Sequence, residues 1–457
     1  MRVFALLAVL SCAAGPSIWS GCSDPHAIAL DLEGYVLSMA STTDGSRLLV
    51  SYSSRYVFDH GFAHDSWAVF DTATWMLLAD HRLDDRRLGG FTACSGRDRA
   101  VTFESSPAGA SPVLGFRHIP TGSLVAEVPR DERVEISLPV CAPSRNTIYI
   151  SIRPSVVSEI DLEDGAVVRE YDIGGEEMFV PFWVQDARDR LVVRNYSTGE
   201  LTTFRLSTGE RLGSVCAVCG FEREEISGLA MLDDEYAMAM VVTGEGSGMR
   251  MHLVLIDLEA LQVVRTFDIG TFRGYDGFWP MDPGLASIAL FLSSPVDRLC
   301  TLISRLDGVT GEVTPVYDGC APGVELARVL DDLDQFWMMD RTRAEGWRYK
   351  VYRFPSGALL GEAPVPRVFW DQGLYAPGSR RALQASGSDG DFAVYDAERI
   401  ALLDHFKLCG KGVSSMILDP TERWLAARCA DRKCDTLKDP MECSGKGIMI
   451  VDLARYR

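Results

Sequence analysis

The sequence is short of positive charge, of histidine and of long apolar runs. Lys and Arg number 45 against 64 Asp and Glu, a formal net charge of −19. A surface of that sign repels phosphates, so no nucleic-acid partner is expected, and it gains nothing electrostatically from anionic lipid. Beyond residue 22 no stretch reaches the roughly 18 uninterrupted apolar residues of a membrane span. There is no Gly-x-Ser-x-Gly elbow and no phosphate loop. Cys216-Ala217-Val218-Cys219 lacks the following histidine of c-type haem attachment, and no second pair at regular spacing makes a zinc site. No helical periodicity competes with strand-like patterns. What is present is hydrophobic residue in quantity, 47% with 9% aromatic, enough for a large core.

The apolar residues are organised by one hairpin. In residues 157–173 (VSEIDLEDGAVVREYDI) a strand ends at Ile160-Asp161-Leu162, turns at Glu163-Asp164-Gly165 and returns as Ala166-Val167-Val168. Glycine supplies the positive φ that so tight a turn requires. Aligned on Asp161, equivalent positions recur at Asp71, His118, Arg205, Asp257, Asp307, Arg353, Asp396 and Asp452. A second hairpin precedes each one, as in residues 141–150 (CAPSRNTIYI), 184–193 (VQDARDRLVV) and 418–427 (LDPTERWLAA). Four short strands repeated every 40–50 residues or so is the signature of a propeller. The last unit, from about Gly412, supplies three strands, and residues 27–32 (AIALDL) have no partner in the first. Joining the two completes the last blade and removes an exposed edge. The expectation is an all-β chain. It forms a single closed β-propeller over residues 23–457, its ring closed by the N-terminal strand. Nine repeats are counted, and eight is the alternative if residues 273–318 or 412–457 prove irregular.

Residues 1–22 read differently. Arg2 is followed by an almost purely apolar stretch at residues 3–10 and by small residues. That is a secretory signal, and its end is similar to a bacterial lipoprotein signal, with Trp19-Ser20-Gly21 before Cys22. Cys22 is the preferred acylated residue; Cys12 and ordinary cleavage without lipid are the alternatives. The expected location is the bacterial cell envelope, either anchored in the membrane by lipid alone or free in the periplasm or medium.

The turn pattern and the strand–Asp–x–x–Gly–strand hairpin together resemble the YVTN/WD-like family of bacterial β-propellers, over residues 27–457. That resemblance implies the fold and leaves function open, because the superfamily includes binding proteins, lactone hydrolases and quinoprotein dehydrogenases. The Gly-His dipeptide of true WD repeats is absent, and Trp-Asp occurs once, at Trp370-Asp371, rather than once per repeat.

Ten cysteines follow Cys22, an even number in a chain expected to be exported, which favours disulfides. The strand map pairs Cys300 with Cys320, Cys409 with Cys429, and Cys94 with Cys141 across neighbouring blades. It pairs Cys434 with Cys443 around a loop, and leaves Cys216 with Cys219. Among the seven histidines only His60 and His64 cluster, flanked by Asp59 and Asp65, a weak candidate for a divalent metal. The acidic turns Asp233-Asp234-Glu235 and Asp331-Asp332 with Asp334 could in principle bind calcium, but the repeat already explains them as turn residues. The tryptophans are irregular, unlike quinoprotein docking motifs. No cofactor is expected. The favoured function is a non-catalytic binding or scaffold protein that holds an unknown protein or small molecule on a propeller face. The alternatives are a metal-dependent hydrolase similar to propeller lactonases and a quinoprotein-like dehydrogenase subunit.

Overall fold

The computed structural model describes residues 27–456 apart from 33–34, 54–65, 84–86, 95–97, 106–111, 135–138, 178–179, 196, 220, 222–223, 244–249, 272–273, 281–287, 294–300, 309, 320–323, 343–345, 367–370, 411 and 431–446. Its strands, β1 to β36 in chain order, form nine four-stranded sheets. Blade 1 is β2–β5 (residues 35–82), blade 2 β6–β9 (87–129), blade 3 β10–β13 (140–172) and blade 4 β14–β17 (182–216). Blade 5 is β18–β21 (224–271), blade 6 β22–β25 (274–319), blade 7 β26–β29 (324–364) and blade 8 β30–β33 (371–407). Blade 9 joins β34–β36 (412–452) to β1 (Ala27–Asp31). The fold is a nine-bladed β-propeller; four strands over residues 274–319 make blade 6, and three strands over 412–452 make blade 9 together with β1.

The N-terminal strand sits where the missing partner was expected. β1 runs antiparallel to β36 (Gly447–Asp452), with Ala27 opposite Val451 and Asp31 opposite Gly447. Leu30 is buried there.

Burial falls from the middle strands to the last strand of each blade. In blade 3, β11 (Thr147–Arg153) and β12 (Val156–Asp161) are buried almost throughout, whereas β13 (Val167–Asp172) is mostly exposed. This explains why the inner strands read as continuous apolar runs and the fourth strands alternate. Chain contacts define two compact units. One comprises Met1–Ser41, Tyr52–Ala63 and Val365–Arg457, and the other Thr42–Ser51 and His64–Pro364. In the second unit, Val101, Phe103 and Leu114 of blade 2 pack on Ile148, Ile150 and Ile160 of blade 3. Tyr149 and Tyr171, from the other face of blade 3, pack on Leu191, Val193 and Phe204 of blade 4. In the first unit, Leu383, Phe392 and Val394 of blade 8 pack on Val413, Leu425 and Val451 of blade 9.

The recurring marker residue is the last residue of the third strand in eight blades, and in blade 6 Asp307 follows that strand directly. Where the marker is Asp, its side chain fastens the turn. Oδ1 of Asp71, Asp257 and Asp396 each accepts two backbone N–H bonds, from residues 73 and 74, 259 and 260, and 398 and 399 respectively. These are Asx turns. The next residue then ties the two hairpins of a blade together. The N–H of Ile119, Leu162, Leu206, Leu258 and Phe354 donates to the carbonyl of Asp98, Asn146, Asp189, Glu235 and Asp334 respectively. The backbone N–H four residues after the marker donates to the marker's carbonyl, as Gly122 does to His118 and Gly165 to Asp161. Trp75 makes the same bond at φ 56°, and Leu261 and Ile400 adopt φ 51° and 55° in the equivalent place.

Candidate functional site

Two ends of each blade differ. At one end lie the tight turns just described. At the other, the second strand connects to the third, and one blade connects to the next. Those connections vary widely, from residues 154–155 in blade 3 to residues 431–446 in blade 9.

At the tight-turn end, acidic side chains link successive blades. In the second unit, Arg145 of blade 3 reaches Asp186 and Asp189 of blade 4 at 2.6 Å each, and Ser144 donates to Asp186. Ser144 and Arg145 together hold the Asp186 carboxyl below its usual range. Burial pushes Asp189 upward, but Ser207 and Arg145 outweigh it and hold it low. Arg188 continues the chain to Glu235 of blade 5 at 2.8 Å. The acidic turn 233–235 therefore serves packing between blades, and Asp233 Oδ1 also caps its own turn through the N–H groups of Glu235 and Tyr236. Asp331–Leu333 forms a short 3-10 turn, with Asp331 accepting from the Asp332 N–H.

In the first unit Glu422 plays the same part. Its carboxylate accepts the backbone N–H groups of Gly378 at 2.8 Å and Ser379 at 2.7 Å. These residues, with Pro420 and Thr421, line an open cleft of about 520 Å³. The acid that faces the cleft already has both oxygens occupied.

Inside the blades, buried carboxylates have internal partners that local spacing does not signal. Glu159 accepts from Tyr149 Oη at 3.0 Å, Tyr171 Oη at 2.9 Å and Arg169 Nη1 at 3.1 Å. Burial pushes the Tyr171 hydroxyl up to about 12, and Glu159 adds to the shift. Glu104 is held by Thr102 and by a two-pronged contact from Arg117. Asp340 binds Lys350 at 2.7 Å and Thr342 at 2.6 Å; these bonds outweigh its burial and bring it down to about 2. Thr102 and Thr342 stand two residues from the acids they bind; the other partners lie 10 to 13 residues away on adjacent strands, at no fixed spacing, so only the register reveals them.

His81 contrasts with these acids. Its ring packs against that of Trp67, tilted by 44° with centres 4.7 Å apart, and its Nε2 is buried without a hydrogen-bond partner. Burial pushes its pKa below the ordinary 6.5 and Arg117 adds to this, against the backbone at Ile119 and Asp80. The unfolded chain therefore takes up this proton first. The stability His81 allows is fully present above about 6.5 and is lost as pH falls from there through the depressed value. Replacing it with Phe is expected to flatten that part of a melting-temperature profile. A profile whose slope below pH 6.5 is the same in the variant contradicts the assignment.

The structure joins Cys94 to Cys141, Cys216 to Cys219 and Cys409 to Cys429. The first links blades 2 and 3, and the third links the approach to blade 9 with its second strand, β35 (Trp424–Ala430). Cys300, Cys320, Cys434, Cys443, His60, His64, Cys12 and Cys22 lie outside the described residues. Among the described residues no three His, Cys, Asp or Glu side chains are disposed to hold a metal ion, and no helix is long and apolar enough to cross a membrane.

No family model matches the chain, and no curated protein matches it. Solved structures do. A eukaryotic initiation factor aligns over 84% of this chain and 90% of its own, at 10% identity and a TM-score of 0.54. The Dos1 propeller aligns over 93% and 94%, at 10% identity and a TM-score of 0.51. At that identity the likeness shows a β-propeller and nothing about activity.

Proposed function

We propose that this protein is an exported, lipid-anchored propeller of the bacterial envelope that works by binding a partner rather than by catalysis. The observation that carries the reading is where its carboxylates go. Among the described residues, the recurring marker aspartates are taken up by turn backbone, Asp186 and Asp189 by Arg145 of the neighbouring blade, Glu159 by buried tyrosines and Asp340 by Lys350. What is left to differ between blades is the connections at the opposite end, which is where a rigid scaffold usually carries recognition. The disulfides suit an oxidising compartment outside the cytoplasm.

On this reading Cys22 carries the lipid, and the spacer Ser23-Asp24-Pro25-His26 spans at most about 14 Å before β1. The acidic body is repelled by anionic headgroups, so the acyl chains supply the membrane affinity. Cys22→Ala is expected to move the protein from the membrane fraction to the soluble fraction with an unchanged melting temperature. Cys12→Ala should leave it membrane-bound. Release by Cys12→Ala and retention by Cys22→Ala contradicts the anchor.

A further inference from the structure

We propose that Cys216–Cys219 is a thiol-exchange site, a bridge that a dithiol opens in the folded protein while Cys94–Cys141 and Cys409–Cys429 stay closed. The three bridges differ in what surrounds their sulfurs. Cys94 is fully buried among Val101, Leu114 and Ile148. Cys409 and Cys429 are 2% and 6% exposed among Val413, Leu425 and Met449. Exchange begins when a thiolate attacks one sulfur in line and expels the other as a thiolate. At both of those bridges at least one sulfur would be expelled into, or attacked within, an apolar cluster. Such surroundings raise the thiol pKa and slow departure.

Cys216–Cys219 lacks that protection. Cys216 ends β17 (Arg211–Cys216) and is half-buried, and Cys219 is exposed in the connection to blade 5. The bridge also restrains little. Its cysteines are three residues apart, against 47 for Cys94–Cys141 and 20 for Cys409–Cys429. A shorter closed loop removes less freedom from the unfolded chain, so opening it takes least from stability. The loop has other holds. Ala217 is buried, Val218 packs on the apolar cluster shared with blade 5, and the Phe221 ring lies 4.9 Å from that of His252. Opening the bridge therefore leaves the blade in place.

The geometry orders the steps. The dithiol's thiolate attacks Cys219 Sγ, forming a mixed disulfide, and the electron pair of the broken S–S bond leaves on Cys216 Sγ. That sulfur lies 3.9 Å from the Thr198 carbonyl oxygen, so after taking a proton from water its S–H has an acceptor at hand. The reductant's second thiol then attacks its own sulfur in the mixed disulfide, and Cys219 leaves as a thiolate. Two electrons pass from the dithiol, which becomes a cyclic disulfide, to the bridge, which becomes two thiols.

The test uses the whole folded protein, graded dithiothreitol, an iodoacetamide quench and peptide mapping. Cys216 and Cys219 should be alkylated at least about tenfold sooner than the four cysteines of the other two bridges, with the thermal transition still cooperative. Protection of all six until denaturant is added, or earlier labelling of Cys94 and Cys141, overturns the proposal. A second measurement uses the single variants with oxidised glutathione. Cys216→Ser should form a mixed disulfide at Cys219 about tenfold faster than Cys219→Ser forms one at Cys216, because the exposed sulfur is the exchanging one. Equal or reversed rates overturn the assignment of Cys219.

Discussion

A chain that begins after residue 33 is expected to lose stability out of proportion to the residues removed. Such a deletion takes away β1 and with it the fourth strand of blade 9. The ladder from Ala27 opposite Val451 to Asp31 opposite Gly447 is lost, and the buried side chains of Leu30 and Leu32 go with it. Two buried leucines contribute about 2 kcal/mol each, and a handful of ladder hydrogen bonds about 1 kcal/mol each. The expected loss is therefore about 5 kcal/mol or more, a large part of a typical domain's stability. The effect extends beyond the lost contacts. β36, which carries the buried residues Ile448, Ile450 and Val451, becomes an open apolar edge of the kind that pairs with other chains. Denaturant unfolding should show a lower midpoint, and light scattering should show association. A truncated chain with an unchanged midpoint and no association contradicts the role given to β1.

Gly357→Ala is expected to have the next largest effect. Gly357 closes the turn after the third strand of blade 7 at φ +67°, a conformation that strains any other side chain. A Cβ there would lie 2.2 Å from the carbonyl oxygen of Val316 in blade 6. Val316 contributes backbone to that contact, so no rotamer change can relieve it. Left-handed strain and overpacking together should cost about 4 kcal/mol. Gly174 is the control. It has φ +78° with nothing within 4 Å of the same built Cβ, so Gly174→Ala should bear the conformational term alone, about 1 kcal/mol. Similar melting temperatures for the two variants contradict the account of blade packing through this turn.

These two predictions show which features were legible in the sequence. The marker residues placed nearly every third strand, because a turn that needs an Asx oxygen or a left-handed residue restricts its sequence strongly. Unpartnered runs at both ends revealed the pairing of residues 27–32 with 447–453, since an exposed edge is unfavourable enough to be avoided. Turns built on Trp75, Leu261 and Ile400 lack the glycine signal altogether; there the surrounding blades impose a left-handed backbone that these residues do not favour. Polar partners inside the blades were not legible. Glu159 meets Arg169 because β12 and β13 pair Glu159 opposite Arg169, and Arg145 meets Asp186 because two blades lie side by side. Such contacts depend on three-dimensional register rather than on local spacing. The paired cysteines Cys94 and Cys141 were legible for the opposite reason, since they stand at nearly equivalent points of two repeats.

The central claim is that the carboxylates of the described residues serve turns and blade contacts, which supports the proposal that the protein binds a partner without metal chemistry. The most direct test is the metal content of the intact protein, purified without chelator and measured by inductively coupled plasma mass spectrometry. The account predicts divalent metal well below one equivalent per chain, and an unchanged melting temperature when calcium, magnesium or zinc is added. One equivalent of a tightly held divalent metal, whose removal lowers the melting temperature, would contradict it and favour a metal-dependent hydrolase.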